Sequence, residues 1–524
     1  MKLRTIVKIA ITSSVVLLCS GFALYSFFRL SAAEGQKDFN LYELVPSATS
    51  AVFVTDDVLE FVAEVDELTC SKNQQYLYVS KLFSYLKQSL YALSEDTPHG
   101  LSRQMNQMLI SFHEPDNERN QVLYCRLGNG DKELVNRFVR KYISSLYPPK
   151  TFIYKGEEII IYPMADGDFL ACYLTSDFMA LSFQKKLIEN VIDAYKSGKS
   201  LADDSTFTGI RAPKKSAAAA TIYTRMQGMM GWTEFDMKMK DDFIYFSGIT
   251  HDADTCFAFI NQLRQQQSVK GFPGEVLPST AFYFSRQGIT DWVSLLSYGN
   301  AQGQSVPART SEVQNRDKEF SCYLMENAGQ DLVACLFQRE DTLQGAAAVL
   351  SLSVADVTEA ERMLRALVNA APADEGRRNP RITFCYTVNK AYPIYRLPQT
   401  TLFEQLTSFA EPTLDVYAAF YGGRLLLAPD ADALAHYIRQ LDKGEVLNGA
   451  MAYQTGMDHL SDSYHFMLMA DFDHIFQQSE NHVRFVPDFF LRNADFFRHF
   501  TLFVQFACAD GVVYPNIVLK YKSE

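Results

Sequence analysis

The chain repeats itself at a spacing of 246 residues, and no other feature constrains its folding as much. Met179-Ala180-Leu181 falls on Leu425-Leu426-Leu427, Ile192 on Ile438, Gly198 on Gly444 and Leu201 on Leu447. Thr221-Ile222-Tyr223 falls on Met467-Leu468-Met469, so the 45 positions 179–223 align without a gap. The ends match at other offsets. LVPSATSAVFV from Leu44 resembles VLPSTAFYF from Val276, and TEFDMKMKDDFIYFSGI from Thr233 resembles TLFVQFACADGVVYPNI from Thr501. Matches in one order over this length point to a duplication, with copies at 41–252 and 276–524 and a connecting helix or linker at 253–275.

Each copy reads as mixed helix and strand. Short apolar or alternating runs predict strands at 152–155, 158–162, 169–174 and 178–183. Helical spacing predicts helices over 132–146 and 185–196, the second carrying Leu187, Ile188, Val191, Ile192 and Tyr195. Gly198 and Gly444 stand where these helices stop, because glycine enters the left-handed region without strain. Helices scattered among hairpin-like strands predict an α+β class: two tandem related domains, mostly antiparallel sheets covered by helices, and one N-terminal transmembrane helix.

That helix is the run IAITSSVVLLCSGFALYSFF from Ile9, 20 residues without a charge, within an anchor region 1–30. Lys2, Arg4 and Lys8 precede it, which places the N-terminus in the cytoplasm and the bulk of the chain outside the inner membrane, single-pass. Two other readings stay open: a signal peptide cleaved near Ser31-Ala32-Ala33, and a lipoprotein cleaved before Cys19, where Leu17 and Leu18 are larger than such a site wants. The chain carries a formal charge of -12. Setting aside Lys2, Arg4, Lys8 and Arg29 leaves about -16 on the remainder, a surface that repels phosphate backbones and argues against nucleic acid.

Chemistry is harder to find. No CxxC spacing occurs, and several cysteines lie in strand-like runs where a buried free thiol is expected. In FSCYLMENAGQDLVACLF, a hairpin centred on Ala328-Gly329 would set Cys322 opposite Cys335, within disulfide reach. SGKS at 197–200 lacks the first glycine of a phosphate loop and follows a helix, so it reads as a helix-ending turn. GxSxG and HExxH are absent. Six of nine histidines fall between His436 and His499, with Asp471 and Asp473 nearby, yet none forms a spaced ligand pair, so no metal and no cofactor is expected. Asp430 and Asp432 read as helix-start acids.

The copies differ in two places. Copy one has an apolar helical run over 75–93, where copy two has a polar loop reading from Gly299. Copy two gains 22 residues before its last two strands, including VPDFFLRNADFFRHF. A helix opening at Pro487 or Asp488 would put Phe489, Phe496 and Phe500 near one face with Phe490 and Phe497 beside it. Packing into the domain's own core is the plain reading, and a partner-docking or membrane-interface face the alternative.

Leu44, Val45, Pro46 and Ser47, echoed by Val276, Leu277, Pro278 and Ser279 behind one N-terminal anchor, resemble an uncharacterised family of single-anchor bacterial envelope proteins with a duplicated ectodomain. The resemblance implies an extracytoplasmic location and no established activity. The expected function is a non-catalytic envelope protein that binds a protein partner or acts as a scaffold. The alternative is a carrier or sensor of an apolar ligand such as lipid, and a hydrolase with an unrecognised site comes third.

Overall fold

The structure, a computed structural model, describes residues 39–73, 105–114, 119–128, 131–139, 147–164, 167–211, 218–225, 231–250, 258–296, 310–339, 345–370, 381–388, 390–407, 414–478, 486 and 488–522. The N-terminal apolar run, the 75–93 run and the segment 140–146 lie outside them. No helix among the described residues is long and apolar enough to cross a membrane.

Ten strands come from the N-terminal half: β1 (Ala51–Thr55), β2 (Met108–Phe112), β3 (Gln121–Arg126), β4 (Lys150–Tyr154), β5 (Glu157–Pro163), β6 (Phe169–Leu174), β7 (Phe178–Ser182), β8 (Ala220–Thr224), β9 (Thr233–Lys240) and β10 (Phe243–Thr250). Twelve more follow: β11 (Val269–Lys270), β12 (Ala281–Gly288), β13 (Ala328–Gln338), β14 (Ala346–Val354), β15 (Ile382–Tyr386), β16 (Ala391–Arg396), β17 (Tyr417–Tyr421), β18 (Arg424–Ala428), β19 (Ser463–Tyr464), β20 (Phe466–Asp471), β21 (Phe500–Ala509) and β22 (Val512–Tyr521). The predicted strands at 169–174 and 178–183 correspond to β6 and β7, and those at 152–155 and 158–162 to β4 and β5.

Every pairing among them is antiparallel. From its outer edge inward the first half runs β4, β5, β6, β7, β3, β2, β1, β8, β9, β10. The second runs β15, β16, β17, β18, β14, β13, β12, β20, β21, β22, the same order strand for strand. The last strand of each half then pairs with the other, Phe246 opposite Ile517 and Ser247 opposite Asn516 at mid-strand, so one continuous sheet of 20 strands results. β11 and β19 form a small separate pair.

Side chains alternate between the two faces of this sheet, as the period of 2 requires. In β13, Leu332, Ala334 and Leu336 enter one core while Val333, Cys335 and Phe337 enter another. In β3, Val122 and Tyr124 likewise separate from Leu123 and Cys125. Helices cover both faces. The Lys185–Ser197 helix buries Leu187, Ile188, Val191 and Ile192, and its counterpart Ala431–Asp442 buries Ala433, Leu434, Tyr437 and Ile438 on the same face. On the other face lie Val58–Glu67 and Asp131–Phe138 in the first half, and Ser311–Asn327, Val357–Ala370 and Phe472–Phe476 in the second.

The repeated motifs meet in space. Gly198 (φ 63) and Gly444 (φ 77) turn the chain out of their helices in the left-handed region. Three residues later Leu201 and Leu447 are buried, and their N–H groups donate to the carbonyls of Val45 (2.8 Å) and Leu277 (2.9 Å). Isolated bridges join Pro46 to Ser200 and Pro278 to Val446. The Pro-Ser motif and the Gly-x-x-Leu motif are thus two sides of one contact, present in each half.

Two expectations are corrected here. Part of the polar loop read from Gly299 is the Ser311–Asn327 helix, opened by the Thr310 hydroxyl accepting from the Val313 N–H. Its Asp317, far from solvated, is buried and accepts from both Thr400 and Thr401, tying this helix to the start of the Leu402–Leu406 helix. The hairpin centred on Ala328-Gly329 is absent, because Cys322 belongs to that helix and only the chain from Ala328 is strand.

Candidate functional site

A sheet with ends must leave two strands with one edge unpaired, and among the described residues they are β4 and β15. β15 is bonded to β16 through its odd-numbered residues: the Arg396 N–H donates to the Arg381 carbonyl at 2.8 Å and the Thr387 N–H to the Lys390 carbonyl at 3.0 Å. Alternation of antiparallel bonding then turns the backbone groups of Ile382, Phe384 and Tyr386 away from β16. The same three residues share one face, and they are 39%, 53% and 71% exposed. The opposite face is closed: Cys385 is buried beneath the Ala431–Asp442 helix, its thiol pushed up by burial and 3.6 Å from the Ala435 carbonyl. One edge therefore offers three outward amides and an apolar side chain at each of them. A row of this kind is what an added strand uses, main-chain bonds for affinity and alternate side chains for selectivity.

The β4 edge is built differently. Lys155 and Gly156, both at positive φ (49 and 83), form the two-residue turn between Tyr154 and Glu157. Tyr154 and Phe152 are thereby bonded inward, which leaves Thr151 and Ile153 outward. Ile153 is 71% exposed, but lysines bracket its strand: Lys150 opens it, Lys155 in the following turn pairs with Asp193 at 2.6 Å, and on the other face Lys185 lies 5.0 Å above the Phe152 ring. Lysines along an edge discourage indiscriminate strand addition.

The phenylalanine cluster is largely core. Phe497 and Phe500 are buried, and Phe490 and Phe496 are half-buried against the same cluster, with Phe490 5.0 Å from Phe472 and Phe496 4.9 Å from Phe500. Instead of one helix there are two short ones, Asp488–Arg492 and Ala494–Phe497, and Phe500 opens β21. A docking face built on Phe497 and Phe500 is excluded by their burial. The Phe489 side chain lies outside the described part of the chain.

Cys322 is exposed on its helix and Cys335 is buried in β13, both as free thiols. Asp430 caps the Ala431–Asp442 helix, accepting from the Ala433 N–H at 2.7 Å, as its position predicted. No three potential metal ligands converge among the described residues. His465 accepts from the Cys508 N–H at 3.1 Å, and His459 packs on Phe243 and Tyr245.

Two polar constellations escaped sequence reading because their members are distant or inconspicuous in the chain. Ser111 Oγ lies 2.9 Å from His113 Nε2 and 3.0 Å from the Tyr124 hydroxyl. The spacing is that of a nucleophile and its base. Ser111, however, has no exposed surface, so no substrate carbonyl reaches it, and burial pulls His113 down to about 4. The i, i+2 spacing of Ser111, in β2, and His113, just after it, was the available signal.

The second constellation is charged. Asp331 Oδ2 accepts from Arg286 at 3.0 Å, and Arg424 Nη1 lies 3.3 Å from Oδ1. Arg286 also donates to the Gly271 carbonyl (2.8 Å), and Arg424 Nε to the Ser351 hydroxyl (2.6 Å). Burial pushes the Asp331 carboxyl up, but Arg424, the Ser353 hydroxyl and Arg286 together outweigh it and hold the group below the usual carboxylate range. The donors are turned onto one another and onto carbonyls, an arrangement that clamps β12, β13, β14 and β18 together.

No family model, no curated protein and no solved structure matches this chain.

Proposed function

We propose that this chain is a non-catalytic, membrane-anchored envelope protein, built of two copies of one α+β unit, that works as a binding or scaffold module on the extracytoplasmic side. The observation that carries this reading is the β15 edge, where outward backbone groups coincide with exposed Ile382, Phe384 and Tyr386. The identical strand order of the two halves supports the duplication. The apolar run at Ile9 and its preceding basic residues support the anchor. The polar groups that a catalytic reading would recruit, Ser111 with His113 and Asp331 with its arginines, are consumed in packing contacts. The alternative, a carrier of an apolar ligand, needs open space between sheet and helices, and four clusters of buried side chains occupy those layers.

The test is purification of the full-length chain from its native membrane in mild detergent, with co-purifying proteins and lipids identified by mass spectrometry. A stoichiometric envelope protein is the expected result. Bound lipid at one molecule per chain without any protein partner would overturn the scaffold reading in favour of the carrier.

A further inference from the structure

The two ends of the sheet are not equivalent, and the difference points to what one of them holds. We infer that β15 is a self-association edge: two copies of the chain pair β15 to β15 antiparallel about Phe384, joining their sheets into one. The inference rests on the edge reading above and gives one edge its occupant.

Symmetry is the first argument. A two-fold axis perpendicular to the sheet at Phe384 sets Phe384 opposite its own copy and Ile382 opposite Tyr386 of the other chain. The outward amides of β15 belong to these three residues, so every bond of the new ladder uses a group that β16 leaves unused. The side chains that meet are the three exposed apolar ones, on one face, while the opposite face stays closed by the helix over Cys385. The chain already makes a join of this geometry within itself, where β10 and β22 pair antiparallel at mid-strand.

Charge is the second. A net of -12 opposes association in general, but β15 itself carries no acid. Arg381, at one end of the strand, falls opposite Thr387 of the other chain. The two Arg381 residues are then six residues apart along the ladder, roughly 20 Å, beyond the screening length at physiological salt. β4, by contrast, has one apolar residue, Ile153, at its outward backbone positions, with Lys150 at its start and Lys155 in the turn after it.

Size is the third. Ile382, Phe384 and Tyr386, with the strand edges, bury roughly 700 Å² over both copies. That is below the size of stable specific interfaces and fits a weak, concentration-dependent association.

Sedimentation equilibrium of the full-length protein in density-matched detergent, from about 1 to 100 μM, tests this. The wild type should move from 59.4 kDa to twice that mass as concentration rises. Phe384→Lys and Tyr386→Lys should each stay at the single-chain mass, with unchanged circular dichroism melts because both side chains are exposed. Ile153→Lys, on β4, should dimerise as the wild type does. A wild type that is monomeric throughout, a dimer that survives both β15 substitutions, or one lost to Ile153→Lys would overturn the inference. A monomer that still captures an envelope partner would end the self-association while leaving the scaffold reading intact.

Discussion

The N–H of Leu447 donates to the carbonyl of Leu277 at 2.9 Å, and this single bond ties the end of a helix to the entrance of the strand beside it. Leu201 and Val45 do the same in the other half at 2.8 Å. Two short motifs that look unrelated along the chain are therefore one structural element, the lock between helix and sheet.

Breaking the lock should show two different costs. Leu447→Ala empties a buried site and should lower stability by about 2–5 kcal/mol. Gly444→Ala meets no atom within 4 Å, so only its left-handed φ of 77 is penalised, at about 1–2 kcal/mol. Urea midpoints of the two variants against the wild type measure both, and equal effects would count against the lock.

The join between the halves has a tight point. A Cβ on Gly248 would sit 2.7 Å from the Phe235 ring and 2.8 Å from the Pro515 ring. Gly248→Val should therefore loosen the β10–β22 seam, increasing amide exchange in β10 and β22 ahead of the outer strands. Exchange that rises evenly over the whole sheet would mean the seam is not a separate unit.

Asp331 makes stability depend on pH in a definite sense. Its folded-state pKa lies below the unfolded one, so its contribution is present above the unfolded value and is lost as pH falls through the folded one. Asp331→Asn strands two poorly exposed arginines and should cost about 3 kcal/mol at neutral pH. The variant's acid unfolding curve should also be flatter than the wild type's on the low-pH side. An unchanged curve would remove the clamp from the account.

Thiol chemistry separates the helix from the hairpin. Cys322 is exposed and should take up maleimide within minutes, while Cys335, buried with its thiol pushed up, should label only on unfolding. Cys125 and Cys172, pushed up to about 12 by burial, should follow Cys335. A cross-linked Cys322–Cys335 peptide in the non-reduced digest would contradict the structure.

Much of each half was legible from residues close together in the chain. The short apolar runs at 169–174 and 178–183 and the helical spacing of 3.6 over 185–196 are local signals, and those elements appear where the pattern put them. The glycine turns were readable for the same reason, since a left-handed φ is a property of one residue. FSCYLMENAG was not readable in this way. Phe320, Tyr323 and Leu324 line one helix face, yet the following AGQDLVACLF continues the apolar run as strand, and a hairpin fits the same letters.

By itself, then, the sequence determined the α+β class, the repeated order of motifs and the helix ends, all set by neighbouring residues or by a match between two stretches. Tertiary structure decided the rest. Whether Phe500 is a docking surface or core depends on β21 and the helices packed around it. That β15 stands at an edge depends on the order of the other nineteen strands across the sheet. Strand order is a relation between distant segments, and no local period carries it, so the row of Ile382, Phe384 and Tyr386 became a candidate surface only once the sheet was assembled.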